Sequence, residues 1–270
     1  MVQAREINQR SDHQKFDTIV IVLREELNMN GLMIHTNGGK CVGRDELEAI
    51  PVPEATNSYQ PVSHFVLANT LVTIGQDLLR DYTLAREQYG LARQGKQMFA
   101  VQTYAKDNQE MGLSIGFRNS YDKSMAIGIA IGATVFVCDN LALTGEITVL
   151  RKHTANVWKA LEETVIATLY RSQHNFDRIC EDAEVLKSRE LENNEAFRTM
   201  GLLFGNNIIT LRQLPVLKRQ WLHPCHEEFK PRNMWSFYNS CTEILKSTPP
   251  LQVMEKHIKL HAILMPGGTS

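Results

Sequence analysis

Seven consecutive residues, Arg118-Asn119-Ser120-Tyr121-Asp122-Lys123-Ser124, form the densest polar cluster between two strand-like segments of this chain. Arginine, asparagine, serine and lysine at a strand end can grip phosphate through charge-assisted hydrogen bonds. The same residue types also build an ordinary hairpin turn, which favours Asn, Asp and Ser. Both readings stand on the sequence. Arg118 is the least turn-like member, because it falls on the small-residue face of its strand beside Ser114 and Gly116. That leaves room there for a ligand or for a packed helix.

A second basic group, Arg151-Lys152-His153, directly precedes a helical pattern for which Thr154 is the candidate cap. Free N–H groups at a helix N-terminus favour anions, so phosphate is physically reasonable here too. A solvated strand end explains the same residues. In the third group Arg86, Arg93 and Lys96 flank a hairpin and alternate with Tyr82, Tyr89, Phe99 and Tyr104. Proteins that bind single strands stack bases on rings while cations track the backbone. Core packing accounts equally for those rings.

His223, Cys225 and His226 are chemically competent metal ligands, but their spacing matches no standard zinc pattern. No metal site is assigned. Gly38-Gly39-Lys40 lacks the rest of a phosphate-binding P-loop. GxGxxG, HExxH and GxSxG do not occur, so no cofactor and no catalytic residue is assigned.

The elements that must position these groups follow from periodicity. Asn28 to Gly43 reads as loop, and a short helix starts at Asp45 and stops before Pro51. Three prolines make Pro51 to Pro61 an extended connector. Ser63 caps a helix whose Leu67, Leu71, Ile74 and Leu78 form one apolar stripe. The period then changes to 2. Strands are predicted over Tyr82–Tyr89, Gln97–Tyr104, Met111–Arg118, Met125–Val137 and Gly145–Arg151. The turns fall at Gly90, Gly95, Lys106–Asn108, Asn119–Lys123 and Asp139–Asn140. The fourth strand sets Ile127, Ile129 and Ile131 against Gly128, Ala130 and Gly132, so one face admits a close neighbour. From Thr154 onward the pattern is helical, with Trp158, Leu161, Val165 and Leu169 as a stripe. Helices continue through Phe176–Phe197, Ile208–Leu214, Met234–Lys246 and Leu251–Leu264.

Contiguous strands with short turns imply an antiparallel meander, and helices grouped after them imply an α+β fold. The expected architecture is a meander preceded by a helix and followed by a long helix and an all-helical C-terminal half. Residues 1–50 form an N-terminal segment of short elements and loops. Residues 51–264 form the main domain, with the meander near 80–151 and the helical part near 154–264.

Composition bounds the location. The 270 residues carry a net charge of −1 with 43% hydrophobic and 22% charged residues, so a globular core is affordable without staples. Near-neutrality excludes a polybasic protein but leaves room for a basic face. Five widely spaced cysteines without CxxC favour a reducing compartment. No apolar run approaches the ~20 residues of a membrane span, and Met1 to Gln14 has no signal-like apolar core. A cytoplasmic protein with no membrane partner is expected.

Four stretches together resemble a known family: Arg118 to Ser124, Val137-Cys138-Asp139-Asn140-Leu141, Lys152-His153-Thr154, and Met234-Trp235-Ser236-Phe237-Tyr238-Asn239-Ser240-Cys241-Thr242-Glu243. Their order and spacing are similar to the domain-of-unknown-function 932 family, over roughly Ile50 to Leu264. Asp139 stands where Cys or Ser is expected and Cys241 where Ala is expected. The resemblance implies an accessory protein of phages and plasmids and carries over no catalytic residue. The element order is also similar to that of single-strand annealing proteins, an analogy of topology alone.

The function expected is therefore nucleic-acid binding, single-stranded DNA in particular, through Arg86, Arg93, Lys96, Arg118, Asn119, Lys123, Arg151 and Lys152. One alternative is a module that binds a host protein through Trp235, Phe237 and Tyr238. The other is an unrecognised metal-dependent nuclease or hydrolase built on His223, Cys225 and His226. A homo-oligomer fits any of the three.

Overall fold

The computed structural model describes residues 40–106, 109–138, 140–151, 153 and 157–265. Six strands form one antiparallel sheet in sequence order: β1 Lys40–Val42, β2 Thr83–Ala92, β3 Gln97–Ala105, β4 Met111–Ser120, β5 Ile127–Val135 and β6 Asn140–Arg151. Two helices precede β2, α1 Arg44–Glu48 and α2 His64–Leu78. Six follow β6: α3 Val157–Tyr170, α4 Ser172–Ser188, α5 Asn193–Gly205, α6 Gln213–Leu222, α7 Met234–Leu245 and α8 Pro250–Leu264. This is the expected α+β meander.

Side-chain alternation divides the sheet into two faces. Met111, Leu113, Ile115 and Phe117 of β4 join Ile127, Ile129 and Ile131 of β5 in the main core. Leu67, Ala68 and Leu71 of α2 are wholly buried there, and α3 and α4 pack over β5 and β6. Burial of each such leucine contributes about 1.5–3 kcal/mol. On the other face α8 lies along β6 and reaches β3, where Val253 and Met254 meet Phe99, Val101, Ala130 and Leu143. The Gly/Ala stripe of β5 thus does admit close neighbours. A Cβ at Gly132 would come within 2.1 Å of the Ala142 carbonyl.

Ser63 accepts the N–H of Val66 and opens α2, as its sequence predicts. Gly75, a poor helix former in the same helix, has a steric purpose. A Cβ there would lie 2.2 Å from the Tyr104 hydroxyl, so glycine lets α2 settle on that ring. α7 is buried nearly all round, which removes Trp235, Phe237 and Tyr238 as an exposed patch.

Several boundaries differ from expectation, each because tertiary pairing overrides local chemistry. Lys40–Val42 lies in the predicted loop but pairs with Tyr89–Leu91. Gly90 sits inside β2 opposite Phe99, and the turn comes later, at Arg93–Lys96. Asn119 and Asn140 were expected in turns. They are strand residues, because each amide is claimed by a neighbouring element. The predicted helix Phe176–Phe197 breaks where Leu191 N–H bonds the Arg232 carbonyl. The predicted helix Ile208–Leu214 is displaced to Gln213–Leu222. Pro215, expected to end a helix, occupies the first turn, where its missing N–H costs nothing.

Candidate functional site

The meander brings the β2–β3 and β4–β5 turns to the same end of the sheet, where the Tyr121 N–H bonds the Lys96 carbonyl at 2.7 Å. Arg93, Lys96 and Lys123 are exposed on these two turns. Arg93, Gln94 and Lys123 adopt positive φ of 54°, 59° and 61°. This left-handed backbone costs a side-chain-bearing residue roughly 1–2 kcal/mol, yet two of the three positions carry a cation. Lys123 Nζ stands 4.5 Å from the centre of the Tyr59 ring. None of the three cations is in an ion pair among the described residues. Asp122, their acidic neighbour, is already engaged by Gln97 Nε2 at 3.0 Å and by the Ser124 N–H at 3.0 Å. β6 ends at this same edge, with Arg151 opposite Ile127. Lys152 lies outside the described residues.

Beneath the turns, the Arg118–Ser124 segment works as an interlock. Asn119 Nδ2 donates to the Val62 carbonyl at 2.6 Å and to His64 Nδ1 at 2.9 Å. A carbonyl can only accept, which fixes the amide orientation and makes Nδ1 an acceptor. His64 therefore carries its proton on Nε2 and donates it to the Gly95 carbonyl at 3.0 Å. Tyr121 stacks on the His64 ring at 3.9 Å, and its hydroxyl accepts the His64 N–H at 2.8 Å. Ser120 Oγ closes the turn on both backbone groups of Met125. The Tyr59 hydroxyl donates to the Tyr121 carbonyl at 3.3 Å. Desolvation holds His64 neutral and pushes its pKa down to about 4. Burial also raises the Tyr121 phenol and lowers His153, whose ring leans on Tyr59 at 5.3 Å.

The eight predicted binding residues thus separate. Arg93, Lys96 and Lys123 are together and exposed. Arg118 points to the opposite sheet face from Asn119, under α8, where it pairs with Glu255 and donates to the Leu251 carbonyl at 3.4 Å. Asn119 is buried in the His64 interlock. Arg86 lies opposite Thr103, well down the strand from the turns, and its Nη1 is buried. The rings proposed for base stacking are mostly core, since Tyr89, Phe99 and Tyr104 are buried.

The sequence reading missed His64 and Tyr59, because a lone histidine and a lone tyrosine carry no motif. The available signal was position, since His64 directly follows the Ser63 cap and Tyr59 lies in the proline-rich connector. At the far end of the sheet Asn140 Nδ2 donates to Asn239 Oδ1 at 3.0 Å and to the Asn239 carbonyl at 3.1 Å. Lys246 Nζ donates to the Cys138 carbonyl at 2.6 Å. These bonds fasten α7 to the β5–β6 turn. Cys225 Sγ faces Gln220 at 3.6 Å and His226 packs on Phe229. Among the described residues no group of three His, Cys, Asp or Glu is placed to hold a metal ion. A groove of about 740 Å³ beside Glu190, Asn193 and Arg232 includes none of the predicted binding residues.

A six-stranded meander, packed by helices on both faces and locked at both ends by buried asparagines, defines an α+β protein with a basic turn cluster. The chain belongs to the family described as domain of unknown function 932 (DUF932), which matches residues 55–262. No curated protein and no solved structure matches it. No described helix is long and apolar enough to cross a membrane.

Proposed function

We propose that this protein binds nucleic acid through phosphate contacts at the basic sheet end, with single-stranded DNA favoured over duplex. The observation that carries the reading is the convergence of Arg93, Lys96 and Lys123 on two hydrogen-bonded turns, free of acidic partners among the described residues. Two turns separated by two strand spacings present a patch about 10 Å across. A flexible single strand can fold several phosphates onto so small a patch, whereas a duplex holds them at fixed spacing. Affinity comes from charge and not from stacking, since Tyr89, Phe99 and Tyr104 are buried. Little base preference follows. An accessory role on a mobile element and a cytoplasmic setting fit this reading, the latter supported by five widely spaced cysteines without a CxxC pair.

Fluorescence anisotropy with labelled single- and double-stranded oligonucleotides across a salt series tests it. Three phosphate contacts give a slope of about −2 in log K against log salt for a single strand. Lys123→Ala and Arg93→Ala each weaken binding and flatten that slope. No binding at low salt refutes the proposal.

A further inference from the structure

Beneath the basic turns, His153 stands apart from the interlock around His64. It lies two residues beyond the end of β6, and its carbonyl accepts the Gln60 N–H at 3.3 Å. The residue is only 8% exposed, yet neither Nδ1 nor Nε2 has a hydrogen-bond partner among the described residues. A neutral imidazole has one N–H donor and one acceptor, so both capacities are idle. Buried polar groups are nearly always paired, and an idle pair calls for a reason. His64 shows the contrast, because both of its ring nitrogens are bonded, to Asn119 and to the Gly95 carbonyl.

The Tyr59 ring supplies that reason. Lys123 Nζ stands 4.5 Å from its centre and the His153 ring 5.3 Å from it, so one aromatic ring serves both groups. Both fall within the roughly 6 Å over which a ring attracts a cation. Lys123 is the cation on this ring, while burial keeps His153 neutral against a weaker opposing pull from the Gln60 backbone. The ammonium and the imidazole are at most about 10 Å apart, within one Debye length and little screened at a buried site. A phosphate held by Lys123 draws the ammonium off the ring and brings negative charge close. Both changes favour an imidazolium, which then has the ring to itself and an anion nearby. The other titratable groups at this end do not supply that charge already. His64 on α2 is neutral, the Tyr121 hydroxyl accepts the His64 N–H, and Asp122 is engaged by Gln97 and Ser124. We infer that His153 is the proton-linked residue of the phosphate site, taking up a proton as phosphate draws Lys123 from Tyr59, so that nucleic acid binds more tightly in mild acid. The inference rests on the phosphate reading of this sheet end. Its sign follows from linkage: a group that protonates more readily in the complex adds affinity as pH falls and adds none well above its bound pKa.

Anisotropy of a labelled oligothymidylate without a terminal phosphate tests this, at one low salt concentration and at about pH 7.5 and about pH 6. Phosphodiesters do not titrate in that range, so any proton effect belongs to the protein. The wild type binds about threefold more tightly at the lower pH, as expected for a bound-state histidine near its ordinary pKa of about 6.5. His153→Gln binds like the wild type at the higher pH and gains less than about 1.5-fold at the lower. Salt-dependent binding with equal gains in both chains, or with no gain in the wild type, overturns the inference and leaves the phosphate site standing. Absence of salt-dependent binding at either pH removes the site and the inference together. Should His153→Gln not fold, nuclear magnetic resonance of the His153 ring in the wild type gives the same answer. Its titration midpoint rises on adding the oligonucleotide, and an unmoved midpoint overturns the inference.

Discussion

Two buried histidines make this fold sensitive to mild acid by a calculable amount. His64 and His257 both have pKa values pushed down to about 4 by desolvation, from the ordinary 6.5. Between those values the unfolded chain binds a proton that the folded chain refuses, so stability rises with pH across the window. The contribution is fully present above about pH 6.5 and is lost as pH falls toward 4. At about pH 5 each histidine costs 1.5 pH units at 1.36 kcal/mol per unit, roughly 2 kcal/mol. The pair costs about 4 kcal/mol, a large share of a typical 5–15 kcal/mol. Urea unfolding at about pH 7.5 and pH 5, followed by circular dichroism, reads this directly. Carboxylates also titrate, so the deciding comparison is with His64→Gln. Glutamine can still donate toward the Gly95 carbonyl but cannot take the proton. That variant starts less stable, because Asn119 loses its acceptor, yet its loss between the two pH values is about 2 kcal/mol smaller than the wild type's. Equal losses in both chains would refute the assignment of His64 as a neutral, Nε2-protonated link.

Two further outcomes test the packing and separate structure from binding. Gly75→Ala, normally helix-stabilising by about 1 kcal/mol, instead destabilises by about 1–3 kcal/mol, because its Cβ falls 2.2 Å from the Tyr104 hydroxyl; thermal unfolding measures it. Arg118→Ala lowers the urea midpoint through loss of its contacts to Glu255 and Leu251, but changes oligonucleotide affinity less than twofold. A large affinity loss in the folded variant would return Arg118 to the binding surface.

The α+β order was legible because β4 and β5 alternate cleanly and because Ser63 and the leucine stripe of α2 are local signals. What escaped were residues whose state depends on distant partners. Asn119 and Asn140 have turn chemistry in sequence, and only a packed α2 and α7 convert them into strand residues. Lys40–Val42 has no strand pattern of its own and exists because β2 offers an edge. Of the eight residues expected to bind, Arg93, Lys96 and Lys123 are exposed on the two turns, whereas Arg118 and Asn119 are buried. The split of Arg118 from Asn119 follows from strand alternation, which the turn prediction conceals by ending β4 two residues early.

This split also explains why family membership leaves the ligand open. The segments that carry the family resemblance most specifically, Arg118–Ser124 and Met234–Glu243, keep most of their polar groups inside the protein, with Asp122, Lys123 and Ser124 left at the exposed tip. Asn119 and Tyr121 tie the β4–β5 turn to α2, and Asn239 ties α7 to Asn140. A buried, satisfied amide is costly to replace, since its partner is left unpaired, at about 1–3 kcal/mol. Such residues define a frame regardless of what the frame carries. Phosphate contacts have no such constraint, because any cation on an exposed turn serves. Arg93 and Lys96 lie outside the resembling segments, and Lys123, at the exposed tip of one, makes no part of its buried network. The proposed phosphate site is therefore tested at the sheet end, through substitutions at Arg93, Lys96 and Lys123. Substitutions in the motif core report on folding.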